Sequence, residues 1–357
     1  MKAFFKFIAV IVGVVVLAGA GLAVFVLART GGFRTVENVN TGSCRAVDLA
    51  GQSAEDIIVD RARGEAFYSA LDRRGGVEGR PQPGTVKVFD LADSAAVPRP
   101  ALSSEPPTFK PHGMSLFAGP DGAQTLFVIN HLPDGTHAIE IFERGAEGGL
   151  FAHIDTVRGP ELFAPNDVAA VGPREFYVAN DTGARNGLQR AAEQIFGSGY
   201  STLVHYLDGK LQVVAANLAA PGGVNAAADG ARVFVAETQG QRVLIFNRDR
   251  VTGALELSAA VDIEGLPDNI DIAPDGAAWV TAHGSAAGLV RHFIDAANPA
   301  PSLVHRLALD DRGFWRAEAK YSSDGRNLSA GSVAVPVDGN LVLGSITERK
   351  ALICALP

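Results

Sequence analysis

Six times along this chain a short apolar strand, a turn and a second apolar strand recur, and no other feature restricts the fold so tightly. The copies are EDIIVDRARGEAFYSA from Glu55, HGMSLFAGPDGAQTLFVIN from His112, NDVAAVGPREFYVAN from Asn166, GGVNAAADGARVFVAET from Gly222, DNIDIAPDGAAWVTAH from Asp268 and SVAVPVDGNLVLGS from Ser332. Their starts are 57, 54, 56, 46 and 64 residues apart. That period suits a four-stranded propeller blade of about 40–50 residues with insertions. Asp229-Gly230, Asp275-Gly276 and Asp338-Gly339 sit between the paired strands, and Asp-Gly is a strong hairpin signal because both residues accept positive φ. The stretches TVKVFDLA, AIEIFERG, TLVHYLDG, QRVLIFNR and GLVRHFID are expected to add the outer strands. The expected fold is all-β: a six-bladed β-propeller over residues 31–357, behind an N-terminal hydrophobic anchor helix over residues 1–30.

The anchor is a separate segment. Lys2 and Lys6 precede an apolar run of 22 residues from Phe7 to Ala28, closed by Arg29. That length spans the roughly 30 Å of a bilayer core as a helix, whereas a cleaved signal usually has an apolar stretch of about 7–15 residues. The expectation is an uncleaved signal anchor, with cleavage near Ala18-Gly19-Ala20 as the alternative. The body then lies on the exported side, membrane-anchored or secreted. A net charge of −8 without basic blocks argues against nucleic acid as a partner. The two cysteines, Cys44 and Cys354, stand just before the first copy and near the end of the chain. Export favours a disulfide between them, and RAVDLA after Cys44 could then pair with ALICALP to close the ring. Two unrelated buried thiols are the alternative.

Five of the six copies open on a polar residue that can bind a ligand. The inner strands of a propeller start near its channel, so Glu55, Asp56, Asn166, Asp167, Asp268 and Asn269 are expected to converge. Carboxylate and amide oxygens form a hard set that suits calcium rather than zinc. Neighbours on a regular strand face opposite ways, so the pairs suggest two ions at different depths. Turn-forming Asx residues are the alternative. His112 opens the second copy and His131 follows its second strand, a pair fit for base and orienting partner. His283 ends the fifth copy in the place equivalent to His131. No G-x-S-x-G elbow, phosphate loop or CxxC is present.

The strings Ala54-Glu55-Asp56, Pro111-His112-Gly113-Met114-Ser115, Asn166 to Pro173 with Glu175-Phe176-Tyr177, Asp268-Asn269-Ile270 with Trp279-Val280, and Lys350-Ala351-Leu352 before Cys354 occur in this order. In them the chain resembles the paraoxonase/arylesterase family, calcium-dependent lactonases on a six-bladed propeller. The resemblance runs from about Cys44 to the end and is weak over 183–220. It implies that Glu55, Asn166, Asp268 and Asn269 hold a catalytic calcium. It implies that Asp56, Asp167 and the backbone carbonyl of Met114 hold a structural one, and that His112 and His131 form a histidine dyad. A terminal disulfide and an uncleaved N-terminal segment are also family features. One position departs: the family carries a further ligand asparagine where this chain has Gly222. Asn225, three residues on, is the candidate substitute.

The resemblance implies hydrolysis of lactones and aryl esters, with small-molecule substrates and membrane association through the N-terminal helix. Two rival readings stay open. One is a gluconolactonase- or strictosidine-synthase-like propeller; the other is a non-catalytic surface propeller that binds a ligand.

Overall fold

The computed structural model describes residues 2–93 and 95–356. Each sequence copy forms the two inner strands of one blade. The innermost strands are Ser53–Asp60, Pro111–Ala118, Pro165–Gly172, Pro221–Ala226, Leu266–Ile272 and Gly331–Val337. Each pairs antiparallel with the strand that follows it, and third and fourth strands extend every sheet outward. Gly122, Gly230, Gly276 and Gly339 take the positive φ that the inner hairpins require.

The ring closes on itself. In the sixth blade the outermost strand is the first of the chain: Cys44–Asp48 lies antiparallel to Lys350–Ala355, with Cys44 opposite Cys354. Those two cysteines form a disulfide with Cα atoms 4.0 Å apart. The pairing expected between RAVDLA and ALICALP is therefore present. A further bridge between Ala54 and Ser345 ties the inner strands of blades one and six.

Six hydrophobic clusters hold the ring, one between each pair of neighbouring blades. Strand alternation explains how one strand serves two of them. In Gln124–His131, Leu126 and Val128 pack toward blade one, while Phe127 and Ile129 pack toward blade three.

Among the described residues, one helix precedes the strands and three interrupt them. α1 (Lys2–Arg29) is apolar and long enough to cross a membrane, and its apolar stretch is not buried against the propeller. Its C-terminal end touches the propeller: Gln241 donates to Arg29 O at 2.7 Å, and Phe25 meets Phe196 at 6.2 Å between rings. α2 (Arg73–Val77), α3 (Gly187–Phe196) and α4 (Ala286–Ile294) all follow the second strand of a blade, so they gather at the same rim. The Asn186 side chain caps the N-terminus of α3, accepting from Gln189 N–H.

One expectation is corrected. GLVRHFID is not an outer strand but lies in and just beyond α4, where the Ser285 side chain caps the N–H of Gly288; Ser302–Leu309 is the third strand of that blade. In α2, Arg74 and Gly75 are buried.

Candidate active site

Antiparallel pairing breaks step at one recurring place. The register slips between Ala54 and Ile57, Pro111 and Met114, Pro165 and Asp167, Pro221 and Gly223, Pro267 and Ile270, and Gly331 and Val333. A bulge inserts an extra residue and re-aims side chains. Each bulge holds the residue that opens a sequence copy: Glu55, His112, Asn166, Gly222, Asp268 or Ser332. The strict alternation of a regular strand does not apply there. Asn269 donates to Glu55 O at 3.1 Å and Oε1 at 3.0 Å, while its neighbour Asp268 lies close enough to Glu55 for their charges to interact.

A second ring stands one step further along. The residues just beyond the register partners of Ala54, Pro111, Pro165, Pro221, Pro267 and Gly331 are Leu71, His131, Asp181, Thr238, His283 and Ile346. Within a blade the two rings touch. His283 Nε2 is 3.0 Å from Asp268 Oδ2, and the rings of His112 and His131 are 4.9 Å apart.

Glu55, Asp56, Asp167 and Asp268 are all buried. Burial pushes each carboxyl above its ordinary range. For Glu55 the Arg73 charge opposes the rise, whereas for Asp167 the neighbouring Asp56 adds to it. Asp56 Oδ2 accepts from the N–H of Met114 at 2.6 Å, and Asp167 Oδ2 accepts from Val224 N–H at 2.8 Å. Arg73 is the cation at this centre, 3.9 Å from Glu55 Oε2 and bonded to Pro111 O at 2.8 Å. Arg73 faces Glu55 and Asp56, while Asp268 meets His283 instead; once ionised, the four carboxylates outnumber the one guanidinium beside them.

Three buried oxygens there have no hydrogen-bond partner: Glu55 Oε2, Asn166 Oδ1 and Asn269 Oδ1. An unsatisfied buried acceptor costs about 1–3 kcal/mol. Hard oxygens in excess, with surplus negative charge, fit a divalent cation of the calcium type. Among the described residues no three His, Cys, Asp or Glu side chains form a metal-holding group by themselves. The fit therefore rests on carboxylates mixed with amide oxygens.

His112 Nε2 lies 3.7 Å from Glu55 Oε2. Burial, then the Arg73 charge, lowers its imidazole to about 3. Burial, then His112, lowers His131 to about 2. A third histidine extends the pair: His131 Nδ1 and His137 Nδ1 are 2.8 Å apart. His137 in turn lines a cavity of about 570 Å³ with Asp134, Arg158 and Phe163.

Asn225, the expected substitute ligand, is held elsewhere. Its amide donates to Ile270 O and its oxygen accepts from Ala226 N–H, both at 2.8 Å. It lines a separate cavity of about 270 Å³ with Ser115 and Asp271. Beyond the bulge the strand pairs in regular register from Gly223 to Ala226.

Three residues of the site escaped sequence reasoning. Arg73 sits in a Gly- and Pro-rich stretch that reads as exposed, and His137 lies just past a turn. Asp181 is exposed as a residue, yet desolvation raises its carboxyl to about 6, opposed in part by a hydrogen bond with the Asn166 side chain. Its equivalence to His131 and His283 was the available signal. A cavity of about 750 Å³ lies away from this chemistry, beside the Gly119–Ala123 turn of blade two.

Solved structures share the architecture. A gluconolactonase from Xanthomonas campestris superposes with a TM-score of 0.54 at 17% identity, covering 90% of this chain and 95% of that one. Regucalcin from Agrobacterium tumefaciens, described as a calcium-binding protein, gives 0.50 at 15% identity, covering 87% and 94%. Closer in sequence, serum paraoxonase/arylesterase 1 of Homo sapiens is 30% identical over 353 residues, 95% of this chain and 98% of that protein. The Arylesterase family model matches residues 36–356, and with that match the chain belongs to the arylesterase family.

Proposed function

We propose that this protein is a calcium-dependent hydrolase of lactones and aryl esters. The observation that carries the reading is the trio of unpartnered oxygens, Glu55 Oε2, Asn166 Oδ1 and Asn269 Oδ1, beside a neutral histidine pair. Glu55, Asn166, Asp268 and Asn269 would hold one ion; Asp56, Asp167 and the Met114 carbonyl would hold a second, structural one. Bound calcium supplies Lewis-acid polarisation of the substrate carbonyl and stabilises the negative oxygen that develops there.

The remaining steps belong to the chain. His112 stays unprotonated at neutral pH because burial and Arg73 oppose its charged form. It takes a proton from the attacking water as the new C–O bond forms. The ester C–O bond then breaks, and the proton passes to the leaving alkoxide or phenoxide. His131 holds the His112 ring, and His137 orients His131 through the short contact between their Nδ1 atoms. α1 acts as the membrane anchor. Because its end docks at the rim that carries α3 and α4, the channel mouth faces the membrane on the exported side.

The reading is tested with purified protein, added calcium, and a panel of five- and six-membered lactones together with phenyl acetate. Turnover of at least one lactone is expected. No turnover across the panel would reject hydrolysis and favour a ligand-binding propeller.

A further inference from the structure

Five of the six inner-ring positions carry a polar side chain, and blade four carries none. The space above Gly222 is nevertheless occupied. A Cβ built on Gly222 would lie 2.7 Å from Thr238 Oγ1 and 3.0 Å from Asp268 Oδ1. Thr238 is the second-ring residue of the same blade, placed by the same register that sets His131 over His112 and His283 beside Asp268. Its hydroxyl therefore reaches the spot from which an inner-ring side chain of blade four would project, within 3.0 Å of a point that an Asp268 carboxylate oxygen also approaches.

Thr238 Oγ1 donates its hydrogen to Pro267 O at 2.6 Å. That bond uses the one donor of a hydroxyl and leaves its lone pairs free. A hydroxyl fixed in this way presents oxygen, not hydrogen, to the neighbouring carboxylate. Beside a carboxylate, a lone pair is unfavourable unless a cation lies between them. Asn225, the polar side chain on the blade's first strand, is engaged with Ile270 and Ala226.

We infer that Thr238 supplies the fourth blade's oxygen to the cation of the polar centre: the ligand has moved from the first strand of the blade to the end of its second. This rests on the calcium reading above and specifies which residue completes the ion's shell. It also explains why position 222 is glycine, since a side chain there would displace the hydroxyl.

The test uses the full-length protein in detergent, stripped of metal and titrated with calcium, and separately with terbium. The terbium luminescence lifetimes in H2O and D2O count the waters on the ion. Thr238→Val, which keeps the shape and removes the hydroxyl, is expected to weaken one calcium site about tenfold and to add one water to terbium. Thr238→Ser is expected to stay within about twofold of the wild type. Gly222→Asn combined with Thr238→Ala returns an oxygen to the first strand and is expected to recover most of the lost affinity. Thr238→Val with unchanged affinity and unchanged water count would overturn the inference while leaving the calcium reading intact. A wild type that binds no calcium would overturn both. If Thr238→Val fails to fold, the Ser variant and the double variant decide: a tenfold loss in Ser, or no binding in the double variant, contradicts the assignment.

Discussion

At the scale of single residues, the site is defined by groups that lack partners. Glu55, Asn166 and Asn269 each leave a buried oxygen unpaired, and the histidines beside them are held neutral by burial. His112→Gln is expected to lower kcat/KM for a lactone by about a hundredfold or more without changing calcium affinity; rates near wild type would remove His112 from the mechanism. His137→Phe breaks the Nδ1 contact that orients His131 and is expected to lower kcat about tenfold, less than loss of the base itself, with KM unchanged. The inner-ring residues were legible because they recur at one point of a repeat. Arg73 was not, because nothing in Asp72-Arg73-Arg74 marks which arginine turns inward. That outcome depends on α2 folding back so that Arg73 can reach the Pro111 and Ser69 carbonyls.

At the scale of elements, the bulge is the decisive device. The repeat made the hairpins and the ring legible, but strand parity alone assigned neighbouring residues to opposite faces. The slipped registers remove that restriction, and periodicity cannot reveal them. The bulges also bring neighbouring inner strands close together. A Cβ on Gly223 would lie 2.3 Å from Asp268 O, and one on Gly113 would lie 2.5 Å from Asn166 O. Gly223→Ala is therefore expected to cost about 1–3 kcal/mol of stability by overpacking and to weaken calcium binding. Gly187→Ala, with nothing within 4 Å of the added methyl, is expected to stay within about 0.5 kcal/mol. Chemical denaturation of both variants checks the contrast. The one misassigned strand, GLVRHFID, has a helical apolar spacing as well as strand-like residues, and the Ser285 cap settles it as helix.

At the scale of the whole molecule, stability and function meet in ring closure and in charge. The disulfide spans a separation of 310 residues. On the chain-entropy model its loss costs up to about 5 kcal/mol, so Cys44→Ser with Cys354→Ser is expected to lower Tm markedly while the hairpins of the inner blades persist. The buried carboxylates set the pH dependence. Their folded-state values are raised, so without metal the fold favours their protonated forms. The stability of the metal-free protein is then lost as pH rises above the unfolded value of about 4 toward the folded ones. His112 and His131, lowered to about 3 and 2, contribute the opposite slope, which is complete above about pH 6.5. Calcium competes with the carboxyl protons, so the gap in Tm between calcium-loaded and chelated protein is expected to widen from pH 5 to pH 8. A gap that narrows would contradict the charge balance assigned to the centre. The most direct measurement of the central claim is calorimetric titration of calcium into the metal-stripped protein, beside the Glu55→Gln variant. Two bound ions are expected in the wild type, with one lost and the other retained in Glu55→Gln; no binding in the wild type, or binding in which Glu55→Gln changes nothing, would contradict it.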